Sequence, residues 1–282
     1  MKGLNMRYAL RVLGVLAGFL LLTPPVCAED PPLVSPLGLG FLWTRNSQAQ
    51  VPRLTSDRDF VDLLLSPGNL DLIAQVKPPA RVMCLSLALS KVETRPFLGL
   101  QETVQLLQQA QVDPRRVILG YNPERAPGTT PEELDNLLES VKRAHEITRQ
   151  YGADLLVGPG LREMANREEL YPELARNCEM WLIQSQRLQM DPATRIPFSP
   201  EKYRAGVKAI VDRLREGNPE IRVVVQIIAG RDATQQRFTP SEVVAYARAI
   251  EDLVHAMRIY GPSPESLSEI ITLLRPEPEP VQ

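Results

Sequence analysis

Short apolar runs recur along this chain, each ending in a polar cluster and each followed by a segment of helical periodicity. Val117-Ile118-Leu119-Gly120 is the clearest case. It breaks into Tyr121-Asn122-Pro123-Glu124, and a helix opens soon afterwards at Thr130-Pro131-Glu132-Glu133, a capping box with Pro in the first helical position. Leu134, Leu137, Leu138, Val141, Ala144 and Ile147 follow at helical spacing and predict one buried stripe, which Gly152 closes as a C-terminal cap. A short apolar run between turn signals reads as a buried strand. By that reading strands cover 38–43, 81–89, 116–122, 154–157, 179–184, 221–229 and 256–260.

Helices are expected between them. One runs from Thr55 or Ser56 through Leu65 on a stripe of Phe60, Val61, Leu64 and Leu65, and a short one lies near 70–76. Others cover 98–111, 131–151, 162–176, 200–216, 240–254 and 264–274. Ser or Thr followed by Pro opens the helices at 130–131, 199–200, 239–240 and 263–264, the residue chemistry of a capped helix start. Returns from helix to strand are short and runs from strand to helix are longer, the asymmetry of parallel βα units. This count gives seven strands, with an eighth either hidden in residues 66–78 or absent. The expected fold is α/β, a (β/α)8-type (TIM) barrel; an open doubly wound sheet is the alternative. No GxGxxG follows the early strands, which weighs against a dinucleotide site.

The first 28 residues change the picture of where the protein works. Lys2, Arg7 and Arg11 precede an apolar or small run from Val12 to Leu22, and Val26-Cys27-Ala28 offers small residues before Glu29. This is the three-part pattern of a secretory signal peptide, with an uncleaved anchor as the competing reading. Pro-Pro-Val before Cys27 matches a lipidation site poorly. The expected organisation is a signal peptide over 1–28, an extended Pro-rich lead-in over 29–37, one barrel domain over 38–275 and a disordered Pro/Glu tail over 276–282. Removal of three positive charges moves the net charge from −2 to −5, which argues against a nucleic-acid partner. Cys84 and Cys178 sit in or beside core strands and read as buried free thiols. The two histidines, His145 and His255, are both placed in predicted helices, so neither a His-based triad nor a His-rich metal site is expected, and no cofactor motif is present.

Ligands of either architecture bind at the C-terminal ends of the strands. Those ends carry Trp43, Tyr121, Asn122, Glu124, Gln184, Gln186 and Gln226, a set suited to a carbohydrate or other neutral polar ligand. Gln184 and Gln226 lie on neighbouring predicted strands; they either meet a ligand's hydroxyls or satisfy each other in the core. Glu124 is the candidate general acid or base, against a bland reading as a solvated loop residue. Glycoside hydrolysis usually needs a second carboxylate, for which Glu93 and Asp232 are the candidates. Gly158-Pro159-Gly160 reads as turn punctuation or, alternatively, as a phosphate-binding loop.

Through Val117–Glu124, Asp154–Gly160, Trp181–Gln186 and Val223–Gln226 the chain resembles exported (β/α)-barrel proteins related in fold to glycoside hydrolases. That resemblance implies a carbohydrate-acting barrel, with a non-catalytic carbohydrate- or envelope-binding barrel as the alternative. It also implies an acid after the fourth strand and a nucleophile after the seventh, whereas on the count above Glu124 follows the third and the seventh carries no acid. The N-terminal pattern yields a direct expectation. Protein recovered from an exporting host begins at Glu29 by N-terminal sequencing, and a start at Met1 in the mature protein would refute cleavage.

Overall fold

A computed structural model describes residues 37–92, 97–125, 128–230 and 238–276. The proposed signal peptide, the lead-in up to residue 36, the tail beyond Pro276, Glu93 and Asp232 lie outside them. Eight strands close into a barrel in chain order, all neighbours parallel, so the closed architecture holds and the open sheet does not. The strands are β1 (Gly38–Leu42), β2 (Phe60–Leu63), β3 (Arg81–Ser86), β4 (Val117–Tyr121), β5 (Asp154–Val157), β6 (Met180–Gln184), β7 (Arg222–Ile228) and β8 (Ala256–Tyr260). The helices are α1 (Leu72–Gln75), α2 (Leu100–Gln109), α3 (Pro131–Asp135), α4 (Leu137–Tyr151), α5 (Leu161–Met164), α6 (Tyr171–Ala175), α7 (Gln186–Gln189), α8 (Pro200–Gly217), α9 (Pro240–Ile250) and α10 (Pro264–Leu274).

The eighth strand is β2, inside the segment expected to be a helix and not within 66–78. Thr55 and Ser56 do not cap a helix. Their backbone N–H groups donate to Asp59 Oδ2 at 2.8 and 2.9 Å, and Leu39 N donates to Asp59 Oδ1 at 2.8 Å. Phe60 and Asp62 then point into the barrel while Val61 and Leu63 pack outward under the helices, the alternation of a strand. Asp62 supplied the polar position that made this run resemble a helical stripe. The other strand boundaries move by a few residues at most; β5 and β8 match the expectation.

Three further expectations need correction. The helix over 162–176 breaks into α5, a 3-10 turn and α6, because Asn166 adopts a left-handed conformation (φ 63°) and Pro172 opens a new helical turn. All four Ser/Thr-Pro caps form, but only Thr239 completes a capping box. At Thr130 the Glu133 carboxylate turns away and accepts from Leu89 N at 3.1 Å and Tyr121 Oη at 2.8 Å. His255 lies in the turn before β8 and not in a helix. Gly152 ends α4 with φ 88° as expected, and both described cysteines are buried and unpaired. Burial pushes the Cys84 thiol up to about 12, so it is inert.

The barrel interior has an apolar floor and a polar layer above it. Phe60, Met83, Ile118, Leu156, Met180, Leu182, Val224 and Ala256 form the floor. A Cβ on Gly40 would stand 2.2 Å from the Phe60 ring, so glycine there lets the ring fill the base. One layer higher the Arg258 guanidinium bridges the Asp62 carboxylate and Gln226 Oε1, joining β2, β8 and β7. The Asp62 side chain is fully buried and that of Arg258 is 7% exposed. A buried pair recovers its desolvation cost only while both partners remain.

Two expectations follow for stability. Asp62→Ala lowers the unfolding free energy in urea by about 3–5 kcal/mol, and combining it with Arg258→Met restores much of the loss; an unchanged midpoint in the single variant would sink the assignment. At the base of the barrel, burial and the neighbouring Arg58, Arg222 and Arg81 push His255 down from 6.5 to about 4. The unfolded chain therefore binds a proton that the folded chain refuses between those values. The His255 contribution is fully present above pH 6.5 and is lost as pH falls toward 4. His255→Gln should flatten the stability profile across that window, and an identical profile would count against it.

Candidate functional site

The residues that converge come from the ends of β4, β5 and β6. Asn122 continues the β3–β4 ladder by donating its backbone N–H to Ser86 O at 2.9 Å, which fixes the point where β4 leaves the barrel. Two residues on, the Glu124 backbone N–H donates to Thr129 Oγ1 at 2.8 Å, pinning the loop start. The Asn122 side chain is buried and donates through Nδ2 to Glu124 Oε1 at 2.6 Å. Gln184, at the end of β6, donates through Nε2 to the same oxygen at 2.7 Å, to Asn122 Oδ1 at 3.0 Å and to Gly158 O at 2.9 Å. Two amides therefore hold one oxygen of a half-buried carboxylate. Oε2 meets no protein donor among the described residues.

The Gly158-Pro159-Gly160 turn makes room for this arrangement. A Cβ on Gly158 would stand 3.0 Å from Asn122 Oδ1 and 2.9 Å from Leu182 Cβ. A Cβ on Gly160 would stand 2.3 Å from Glu163 Oε2 and 4.0 Å from Glu124 Cγ. Glu124 and Glu163 thus both come close to Gly160, Glu163 through its carboxylate and Glu124 through its Cγ. Glu163 belongs to the single turn of α5; its backbone N–H donates to Gly160 O at 3.0 Å, and its Oε1 accepts from Arg125 N at 3.2 Å. A cavity of about 550 Å³ opens here. Glu124 and Glu163 line it together with Gly160, Gln184 and Gln186, and Arg125, Arg162 and Arg187 complete its charged wall.

Of the residues expected at the site, the structure brings together Asn122, Glu124, Gln184 and Gln186. Tyr121 is not among them. It points outward from β4, is fully buried, and donates to Glu133 on α3; burial and then the Glu133 charge raise its phenol well above the ordinary range. Gln226 lies opposite Gln184 in the β6–β7 register, yet its carbonyl oxygen is taken by Arg258 in the layer below. Trp43 is half-buried against the core at the end of β1, away from the Glu124 cavity. Glu93 and Asp232 are outside the described residues. Glu163 was missed by sequence reasoning. Its signal was the glycine three residues earlier, which brings a first-turn acid back over the strand end.

With β2 counted, Glu124 follows the fourth strand, and the segment holding Asp232 follows the seventh. No family model matches this chain, and no curated protein matches it. Solved structures do match it in fold. A glycoside hydrolase family 18 N-acetylglucosaminidase from Paenibacillus barengoltzii is 10% identical, with a TM-score of 0.54 over 84% of this chain and 98% of that one. The catalytic domain of a family 18 chitinase from the fern Peteris ryukyuensis gives 0.53 at 10% identity, over 84% and 99%. The glycoside hydrolase domain of PgaB (BpsB) from Bordetella bronchiseptica gives 0.50 at 9% identity, over 83% and 98%. The chain has the TIM-barrel architecture of these glycoside hydrolases.

Proposed function

We propose that this barrel cleaves glycosidic bonds outside the cytoplasm, with Glu124 as general acid/base and Glu163 as the second carboxylate. The observation that carries the reading is the convergence of these two side chains over Gly160 in one polar cavity at the strand ends. Glycoside hydrolysis needs one carboxyl group to protonate the departing oxygen and a second carboxylate to activate water or attack the anomeric carbon. Glu124 suits the first role, because Asn122 and Gln184 fix one of its oxygens and leave Oε2 to carry the proton. Asn122 and Gln184 are positioning residues in this scheme. Gln186 faces the same cavity and is available to a sugar hydroxyl.

Two further observations support the reading. Glu124 follows the fourth strand, where the family resemblance implies an acid. The fold is also that of enzymes named for action on chitin and N-acetylglucosamine glycans, an analogy of architecture that supports the ligand class without carrying the chemistry. Asp232, after the seventh strand, and Glu93 are the other candidates for the second carboxylate. Among the described residues no helix is long and apolar enough to cross a membrane.

Reducing-end release from a panel of oligosaccharides tests the assignment. Glu124→Gln should lower kcat by about 10²–10⁴-fold with a folded, ligand-binding chain. Glu163→Gln should lower it comparably, while Glu93→Gln and Asp232→Asn should leave it near the parent value. A silent Glu163→Gln beside an inactive Asp232→Asn moves the second role to Asp232. Saturable oligosaccharide binding without turnover in the parent protein would establish the non-catalytic alternative.

A further inference from the structure

We propose that the cavity takes a glycan bearing oxyanions, either uronate carboxylates or sulfate or phosphate esters, and that Arg125, Arg162 and Arg187 select it. The inference rests on the glycan reading above and names the substrate class of the same site. The three arginines come from three different elements, the loop after β4, α5 and α7, and all line the one cavity. Among the described residues none of their guanidiniums has an ion-pair or hydrogen-bond partner. Arg125 uses only its backbone N–H, toward Glu163. Other arginines are committed, Arg81 and Arg222 to Asp154, Arg204 to Asp252 and Arg275 to Asp59; what sets Arg125, Arg162 and Arg187 apart is that they share one cavity.

Two carboxylates stand in the same cavity as the three arginines. Glu124 is held by amides and Glu163 by a backbone N–H, so neither neutralises a guanidinium. The charged lining therefore carries three positive groups against two negative ones, on a chain whose net charge is −2. This local reversal draws an anionic ligand toward the strand ends. Guanidinium is also the side chain whose planar fork matches a carboxylate, sulfate or phosphate group by paired hydrogen bonds. Arg125, Arg162 and Arg187 are exposed, whereas Glu124 and Glu163 are half-buried. Such a ligand places its anionic substituents outward and its glycosidic oxygen inward. The proposal differs from the neutral polar ligand expected from the sequence in the charge of the glycan.

The test is calorimetric binding to the full-length Glu124→Gln protein. Three oligosaccharides of one length are compared: a uronate oligomer, a sulfated oligomer and a neutral one. At low salt one anionic class should bind about tenfold or more tightly than the neutral oligomer, and the advantage should shrink as salt is raised. The preferred class identifies carboxylate or ester as the natural group. Arg162→Gln and Arg187→Gln should each weaken the anionic ligand by about tenfold and leave the neutral one nearly unchanged. Equal affinity for the neutral oligomer, equal losses for both ligands in the arginine variants, or equally tight binding of a polyglutamate of matched charge would each overturn the inference. Arginine-dependent binding of an acidic oligomer that the parent protein does not cleave leaves the inference standing and removes the catalytic reading. Glu124-dependent cleavage of neutral glycans with no anionic preference does the reverse.

Discussion

The carboxylate of Asp59 is fully buried and gathers distant segments of the chain beside the β1–β8 seam that closes the barrel. One oxygen accepts from the β1 backbone at Leu39 and the other from the turn at Thr55 and Ser56, while the Arg275 guanidinium meets both at 2.6 Å. Arg275 immediately follows α10, so a single side chain ties the first strand, the approach to the second and the end of the last helix. A barrel has no free edge only if its first and last strands meet, and the loop-closure cost of bringing those distant segments together must be offset there. The β1–β8 ladder offsets part of it with four register pairs. Asp59 adds a charge whose every lone pair is used, the condition under which a buried carboxylate stabilises.

The same economy of buried polar groups separates structure from chemistry inside the barrel. Arg258, Asp62 and Gln226 satisfy one another across β8, β2 and β7, just above the apolar floor. Gln184 is the register partner of Gln226 and could have joined them. Its amide turns instead toward Asn122, Glu124 and Gly158, on the side of β4 and β5. The polar interior is thus divided: one half closes on itself, and the other half presents a carboxylate to a cavity. Arginine wins the inner half because a guanidinium can bridge two acceptors at once, which a second glutamine could not do with equal strength.

Most of the architecture was legible in the hydrophobic pattern, since seven of the eight strands are apolar runs bounded by turn residues. The exception, β2, carries Asp62 in the middle of four residues. A strand whose buried position is a charge cannot be distinguished by periodicity from a helical stripe, because the partner, Arg258, lies 196 residues away. The site divided in the same manner. Asn122, Glu124 and Gln184 were legible because they end strands. Tyr121 was misassigned because alternation sends odd residues of β4 outward, a phase set by Ile118 facing the barrel axis. Glu163 was illegible because it reaches the cavity from a single turn of helix, and no local pattern marks a loop that folds back.

Glycine at 158 lets the candidate site residues meet in this third of the barrel. The strand ends of β4 and β6 are separated by β5, so their side chains can touch only across it. Gln184 reaches Asn122 and Glu124 by passing over Gly158, whose carbonyl it also bonds, and any side chain there would collide with Asn122 and Leu182. Glu163 Oε2 comes back over Gly160, 2.3 Å from where a Cβ there would stand. What looks in sequence like turn punctuation is therefore a gap in the wall, and its width sets which side chains converge. The meeting of Asn122, Glu124 and Gln184 at this face accordingly depends as much on the missing side chain at Gly158 as on the polar groups themselves.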